Sequence, residues 1–405
     1  MPVSVPDSYV YLDWAATAPL SVEAAEAMGP YLQPGSGNLR LNANANSLHA
    51  PGRAAFEALE LARRSFARAI GAARPSEVIF TSGATEADNT ALLGMAQAAY
   101  RARERARTGG FTPHAIVSSV EHEAVLEPAA RLRQLGWRVT LIDPDRAGFV
   151  TRERLERVLD DDTVMVSVQM ANSEVGAIQP IAQLAQASHE AGALFHTDAV
   201  QALGKAPIDV RALGVDAASF SAHKVGGPKG VGALYVATRL PFEGYALGGG
   251  QEQGRRSGTQ NVCGIAGFVA ATEAALARLE AEGRRQRALR DRLYQRLSSI
   301  PQVTATVSVE PASQDYLPNV VHVLVDGFES ETLVLRLDML GFGVSGGSAC
   351  ASHSLEPSHV LKAMGVQGDA AYGALRVSFG HLTSQDDLDR FAEALGSCLE
   401  WNEGR

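Results

Sequence analysis

Two nucleophiles stand in settings that do not suit a core. Cys350 lies in SGGSACASHS (345–354), among Ser345, Gly346, Gly347, Ser348, Ala349, Ala351, Ser352 and Ser354. Structural cysteines are buried and inert, whereas reactive ones sit partly exposed in polar surroundings. Lys224 lies in SFSAHKVGGPKG (219–230), after an apolar run and before a glycine-rich turn, with Ser221 and His223 beside it. Ligands gather at such strand ends in open α/β sheets. A lysine held there is suited to a Schiff base with an aldehyde cofactor, and pyridoxal phosphate is the common one.

That cofactor has three further needs, and other segments offer a group for each. Its phosphate needs free N–H groups at a helix start, which Gly83, Ala84 and Thr85 of TSGATEADN (81–89) supply directly after a strand. Its ring nitrogen needs a carboxylate, and Asp198 lies inside the apolar run FHTDAVQ, where an unpaired charge is costly. Its ring face needs a flat partner, which His122 in SSVEHEAV offers together with proton transfer. Each residue alone also has a plainer reading: helix capping for the TSG turn, capping or an ion pair for Asp198, packing for His122.

The elements that must hold these groups alternate along the chain. Apolar runs at 77–83, 115–122, 137–143, 163–170, 193–199, 217–223 and 231–237 read as strands, with helical patterns between the first several of them. Such alternation predicts an α/β fold with a mostly parallel sheet covered on both faces. From Gly267 to Ile300 the pattern becomes one long helix with Leu289, Leu293, Leu297 and Ile300 on a stripe, so a domain boundary is placed near residue 265. A mixture of strands and helices follows, with ALRVSFG (374–380) as a strand before a final helix.

Composition excludes several classes. A chain of 405 residues with 46% hydrophobic and 20% charged residues is an ordinary globular one. The net charge of -9 argues against general nucleic-acid or membrane-surface binding. Cys263, Cys350 and Cys398 have no CxxC spacing, which excludes a disulfide framework and a cysteine metal site. Cys263 and Cys398 fall in helical apolar patterns and read as packing. No signal peptide or membrane-length apolar stretch is read, so a cytoplasmic location is expected.

The motifs YLDWAATAP (11–19), NSLHAPGR (46–53), TSGATEADN, EHEAVL, FHTDAVQ, SFSAHK, GGGQEQGRRSGT (248–259), SGGSACAS, SLEPSHVLKAMG (354–365) and LRVSFG run nearly end to end. In this order they resemble the class V aminotransferase superfamily of fold-type I pyridoxal-phosphate enzymes, and within it the cysteine desulfurases of the NifS/IscS type. The resemblance implies a mostly parallel seven-stranded sheet in a large domain, residues 16–265, and a smaller α+β domain, residues 1–15 with 266–405. It implies a cytoplasmic homodimer that acts on L-cysteine and hands sulfur to a protein acceptor or iron–sulfur scaffold, without membrane or nucleic-acid contact. Lys224 would hold the cofactor, His122 would stack on the ring, Asp198 would pair with its nitrogen and Gln201 with its hydroxyl. Ala84, Thr85, Ser221 and His223 would hold the phosphate, with Thr259 reaching the phosphate of the other subunit. Arg376 would clamp the substrate carboxylate, a task that suits a guanidinium. Cys350 would take the sulfur as a persulfide.

Two places depart from the family pattern. Asn172, Ser173 and Glu174 stand where relatives show Asn-Asn-Glu, so Ser173 occupies a substrate-binding position with a shorter side chain and Asn172 is a second substrate-binding candidate one step earlier. Neighbouring side chains point apart, so Asn172 cannot simply take over. The loop GNLRLNANANSLH (37–49) is longer than usual and lacks the usual proline, which implies an altered mouth or partner surface. Rival readings are a selenocysteine or cysteine-sulfinate lyase, which would not need Cys350, and a non-catalytic sulfur-relay scaffold.

Overall fold

The computed structural model describes residues 5–6, 8–35, 41–106, 110–238, 240, 242–347 and 357–400. Twelve strands are defined among the described residues: β1 Val10–Tyr11, β2 Val78–Thr81, β3 His114–Ser118, β4 Arg138–Ile142, β5 Thr163–Ser167, β6 Leu194–Asp198, β7 Ala217–Ser221, β8 Gly232–Val236, β9 Val303–Ala305, β10 Val320–Val325, β11 Phe342–Gly343 and β12 Ala374–Ser378. Seven form one sheet in the order β2-β8-β7-β6-β5-β3-β4. Only β8 runs against its neighbours β2 and β7; every other pair is parallel. Each of the seven apolar runs read from the sequence overlaps one of these strands, and only β3 begins outside its run, one residue earlier at His114. Strands β2, β3, β5, β7 and β8 are buried at every residue, as strands covered on both faces must be, while the edge strand β4 is half open. The parallel arrangement brings the C-terminal ends of β2, β3, β5, β6 and β7 to one edge of the sheet.

The helix after β2 is not uniform. An α-helical turn over Ala84–Asn89 passes into a π-helical stretch over Thr90–Met95 and then into Ala96–Ala106. Gly94 permits close contact there, since a Cβ would lie 2.3 Å from the Glu243 carbonyl oxygen. This irregularity has no signal in the alternating pattern.

The remaining strands form two small sheets, antiparallel β12-β10-β9 and parallel β1-β11. The β1–β11 pair was not read from the sequence: two-residue strands carry no periodicity, and their partners lie far apart along the chain. It is continued by the Leu12 N–H, which donates to the Gly343 carbonyl, and by a bridge between Asp13 and Ser378. Around these strands Leu12, Leu289, Leu293, Leu297, Val321, Leu333, Val377 and Phe391 form a second core beside that of the large sheet. The long helix spans Val262–Leu297, and Ile300 packs against this core just beyond its end. Contrary to the expectation from sequence, this helix is apolar enough by length and composition to cross a membrane. Its Val262, Ile265, Phe268 and Val269 belong to the core of the large sheet, which accounts for the apolar run. Cys398 is buried in the second core and Cys263 is partly buried against the first.

Candidate active site

The strand ends of the large sheet, the backbone at residues 15–17 and Arg376 of β12 enclose a cavity of about 530 Å³. Ala84, Thr85, His122, Ser173, Asp198, Gln201, Ser221, His223, Lys224 and Arg376 all line it. They come from separate segments of sequence, and the parallel sheet is what gathers them.

One wall is built for an anion. The helix beginning at Ala84 has Gly83 as its N-cap and no side chain capping it. Such a turn leaves backbone N–H groups at the positive end of the helix dipole. Nothing lies within 4 Å of where a Gly83 Cβ would be, whereas a Cβ on Gly232 of β8 would lie 2.6 Å from the Gly83 carbonyl carbon. The glycine on β8 therefore lets the turn lie against the sheet. Ser221 ends β7, and His223 follows with Nδ1 3.1 Å from Thr17 Oγ1. Burial, then the charges of Lys224, Lys229 and Lys205, push the His223 pKa down to about 4, so the ring is neutral and can donate a hydrogen bond.

The Lys224 Nζ donates to the carbonyl oxygens of Ala15 at 2.6 Å and Ala16 at 2.8 Å. Asp198, at the end of β6, is 8% exposed and accepts a hydrogen bond from the Val200 N–H at 2.9 Å. Burial raises its pKa, against the pull of that N–H and of His122 and Lys224. His122 is the N-cap of the helix Glu123–Gln134, and its Nδ1 accepts from the Ala124 N–H at 3.0 Å. The neutral ring therefore carries its proton on Nε2, and burial lowers its pKa so that the neutral form persists. Gln201 donates through Nε2 to the Ala15 carbonyl at 2.9 Å and accepts from the Lys205 Nζ at 3.2 Å.

Arg376 is 1% exposed. Its Nη2 donates to Asp13 Oδ1 at 2.7 Å and its Nη1 to the Ser173 carbonyl at 3.0 Å, while the buried Nε has no partner. Its backbone pairs with Ser345, whose hydroxyl donates to the Gly347 carbonyl. Glu174 accepts a hydrogen bond at 2.6 Å from Ser358, the N-cap of the helix His359–Ala363. The described chain on either side of residues 348–356 is thus anchored to Arg376 and Glu174. Cys350 itself lies outside the described residues.

Two expected site residues are not brought into the cavity. The Asn172 amide is committed to its own turn: Oδ1 accepts from the Glu174 and Val175 N–H groups, and Nδ2 donates to the Val120 carbonyl. Thr259 is exposed on a loop outside the cavity. That loop is tied down at two points, by an ion pair between Arg256 and Glu86 at 2.7 Å and a buried one between Arg63 and Glu252 at 2.6 Å. Of the altered loop 37–49, residues 37–40 lie outside the described residues. Its Asn46 donates to Gln260 at 3.1 Å, and its Asn44 accepts from Asn46.

Sequence reasoning missed four ionisable groups. Asp88 lines the cavity and is fully buried. Its signal was present, because it shares a helical stripe with Ala84, Ala91, Leu92 and Met95. Glu121 is 1% exposed beside His122 in a motif noticed only for its histidine. Asp13 pairs with Arg376 across the chain, which no local pattern announces. Lys205 has its pKa pushed down to about 7, first by burial and then by Lys224 and Arg376.

Comparison with known proteins agrees with this geometry. The family model for aminotransferase class-V matches residues 10–391. The chain is 41% identical over 398 residues to "Cysteine desulfurase IscS" of Methanosarcina thermophila, covering 98% of this chain and 94% of that protein. It is 44% identical over 388 residues to "Cysteine desulfurase" of Cereibacter sphaeroides, covering 95% of this chain and 94% of that protein. Among solved structures, a "NIFS-LIKE PROTEIN" superposes with a TM-score of 0.86 at 34% identity, covering 97% of this chain and all of that one. "SspA in complex with cysteine" superposes with a TM-score of 0.75 at 30% identity, covering 92% and 99%.

Proposed function

The chain belongs to the aminotransferase class-V family, and from that premise we propose how its cavity works as a cysteine desulfurase. The reaction takes L-cysteine to L-alanine and transfers the sulfur. The family uses pyridoxal phosphate, and the side chains around the cavity suit that group: an uncapped helix start for a phosphate, a lysine amine and a buried carboxylate. When bound, the cofactor withdraws electrons from the substrate carbon and so weakens the bonds around it.

The protein's own groups do the rest. Lys224 would hold the cofactor covalently, and Ala84, Thr85, Ser221 and His223 would hold its phosphate. Asp198 would supply the negative charge for the ring nitrogen, and Gln201 would hydrogen-bond the ring hydroxyl. His122, neutral with its proton on Nε2, would lie against the ring and is placed to pass a proton. Arg376 receives the substrate carboxylate, with Ser173 beside it and Asp13 holding the guanidinium in place.

Cys350 is three residues beyond Gly347, in the segment whose described flanks are anchored to Arg376 and Glu174. An ordinary thiol pKa of about 8.5 leaves little thiolate at neutral pH, so the Cys350 proton must be taken up as the reaction proceeds. The Cys350 sulfur then attacks the substrate sulfur. A sulfur–sulfur bond forms, the substrate carbon–sulfur bond breaks, its electron pair stays on carbon, and a proton taken up there completes alanine. The enzyme is left with a persulfide, which an acceptor thiol or an iron–sulfur scaffold protein removes.

We place this chemistry in a cytoplasmic homodimer. Leu48 and Leu247 are 90% and 85% exposed on two segments joined by the Asn46–Gln260 hydrogen bond, the second of which leads to Thr259. A partner subunit covering these side chains would receive Thr259 at its own phosphate.

The convergence of Lys224, Asp198, His122 and Arg376 on one cavity carries this reading. Its test is to incubate the protein with L-cysteine and a reductant and to measure alanine and sulfide together. Equal amounts from wild type, both lost in Cys350→Ala, are expected. Alanine undiminished in Cys350→Ala would remove the loop thiol from the mechanism.

A further inference from the structure

Asp88 is the unexplained group in the cavity wall. It is wholly buried, and neither carboxylate oxygen has a hydrogen-bond partner. A lone carboxylate in such a place is costly. The nearest basic nitrogen is not a cation: His196 Nε2 lies 3.6 Å from Asp88 Oδ1, but the ring is itself fully buried. That ring already has two hydroxyl partners, Ser219 at 3.0 Å on Nε2 and Ser167 at 2.8 Å on Nδ1. Burial pushes its pKa down to about 3. His196 therefore offers Asp88 no counter-charge.

The same pocket holds a second acid. Asp198 is two residues beyond His196 on β6, so both side chains rise from one face of the strand. Burial and the charge of Asp198 hold the Asp88 carboxyl well above the usual carboxylate range, against a smaller downward pull from the Ser219 hydroxyl, which is itself engaged with His196. The other ionisable groups around this wall divide by position. Glu86, on the same helix, is ion-paired with Arg256. Glu121, beyond β3, is buried and likewise raised. His122 and Lys224 act on Asp198 and lower it. Two adjacent buried acids cannot both ionise readily. The Lys224 ammonium acts on Asp198 and not on Asp88, so the charge belongs there.

We propose that Asp88 is a positioning residue that holds a proton in the folded enzyme, leaving the single negative charge of the Asp88–Asp198 pair on Asp198. The neutral carboxyl fills the wall beside Asp198 without competing for the Lys224 ammonium. A wholly buried group with no charge also keeps water from that side of Asp198. The proton assignment stands on the burial and the missing partners. The use made of the Asp198 charge rests on the cofactor reading above.

The test is infrared spectroscopy of the full-length protein as purified, isotope-labelled at the aspartate side-chain carboxyl. Wild type at neutral pH is expected to show the label-sensitive carbonyl stretch of a protonated acid, which Asp88→Asn removes and Asp198→Asn retains. The isotope separates aspartate from Glu121. Absence of the band in wild type, or its loss in Asp198→Asn alone, overturns the assignment. Should Asp88→Asn fail to fold, labelled wild type and Asp198→Asn decide the matter between them. The pH profile of stability gives a second reading. A carboxyl raised in the folded state contributes stability at low pH that is lost as pH rises above its unfolded value of about 3.9. The unfolding constant of wild type relative to Asp88→Asn is expected to grow about tenfold per pH unit from that value up to the raised pKa of the folded state, and to level off beyond it. A ratio independent of pH overturns the proposal. Failure of the purified chain to retain pyridoxal phosphate would instead count against the cofactor reading and leave both of these results readable.

Discussion

The loop that carries Thr259 depends on one buried ion pair. Glu252 and Arg63 are joined by two hydrogen bonds, 2.6 Å from Nη1 and 2.8 Å from Nη2. Their side chains are 1% and 5% exposed. Glu252 also accepts from the Phe80 N–H of β2 at 3.1 Å, and Arg63 donates to the Val78 carbonyl at 2.8 Å. The pair thus clamps the loop to the sheet edge just before the anion-binding turn. It does so although Glu252 and Gln253 adopt φ of 50° and 59°, a region that costs a non-glycine residue energy. Arg63→Met leaves the Glu252 carboxylate buried without its cation, which costs about 3–5 kcal/mol. Glu252→Gln keeps the shape and leaves a buried guanidinium whose other partner, Glu60, is 29% exposed. It should cost somewhat less. The double variant strands neither charge. Its cost should fall short of the sum of the single costs by about 2–3 kcal/mol, in the range of directly coupled residues. Denaturant midpoints at neutral pH measure all three. Additivity within about 0.5 kcal/mol would mean the two residues do not stabilise the loop as a pair.

Three further outcomes follow from single sites. His322 is fully buried on β10 opposite Arg376, with its pKa pushed down to about 3 by burial and then by Arg376. A histidine depressed on folding costs stability as pH falls below its unfolded value of about 6.5, so relative to His322→Asn the wild type should lose about 2 kcal/mol between pH 7 and about pH 5; a pH-independent difference in urea midpoints would refute this. In Gly232→Ala the new Cβ would lie 2.6 Å from the Phe220 carbonyl oxygen as well as from the Gly83 carbonyl carbon, both backbone atoms. An overpacking cost of about 1–3 kcal/mol and weaker retention of pyridoxal phosphate in dialysis are expected, and unchanged retention would count against the anion-binding turn. Lys224→Ala should lose the visible absorbance of covalently held cofactor, and borohydride should no longer fix the cofactor to the chain; covalent fixation in that variant would move the attachment to another lysine.

The sheet was legible because its strands are buried on both faces and so read as unbroken apolar runs. The groups near their ends, Asp198, His122 and Lys224, stood out because each is a polar residue within, closing or directly following such a run. What stayed hidden is tertiary. Asp13 meets Arg376, and Arg63 meets Glu252, only after distant segments pack together, and a charged residue read alone defaults to solvent. Asp88 shows an intermediate case. Its helical stripe was visible, but it lies in TSGATEADN, a motif read only for the N–H groups at its start and not for the face that turns inward. Asn172 failed for a local reason, since its amide is consumed by the turn that exposes Ser173.

The central claim is that the Cys350 thiol takes the sulfur. It is tested most directly by exposing the protein to L-cysteine without reductant, digesting it and weighing its cysteine peptides by mass spectrometry. The account predicts one added sulfur atom on the peptide containing Cys350, and none on those containing Cys263 or Cys398, whose burial raises their thiol pKa values. Alanine produced with no sulfur on Cys350 would contradict it.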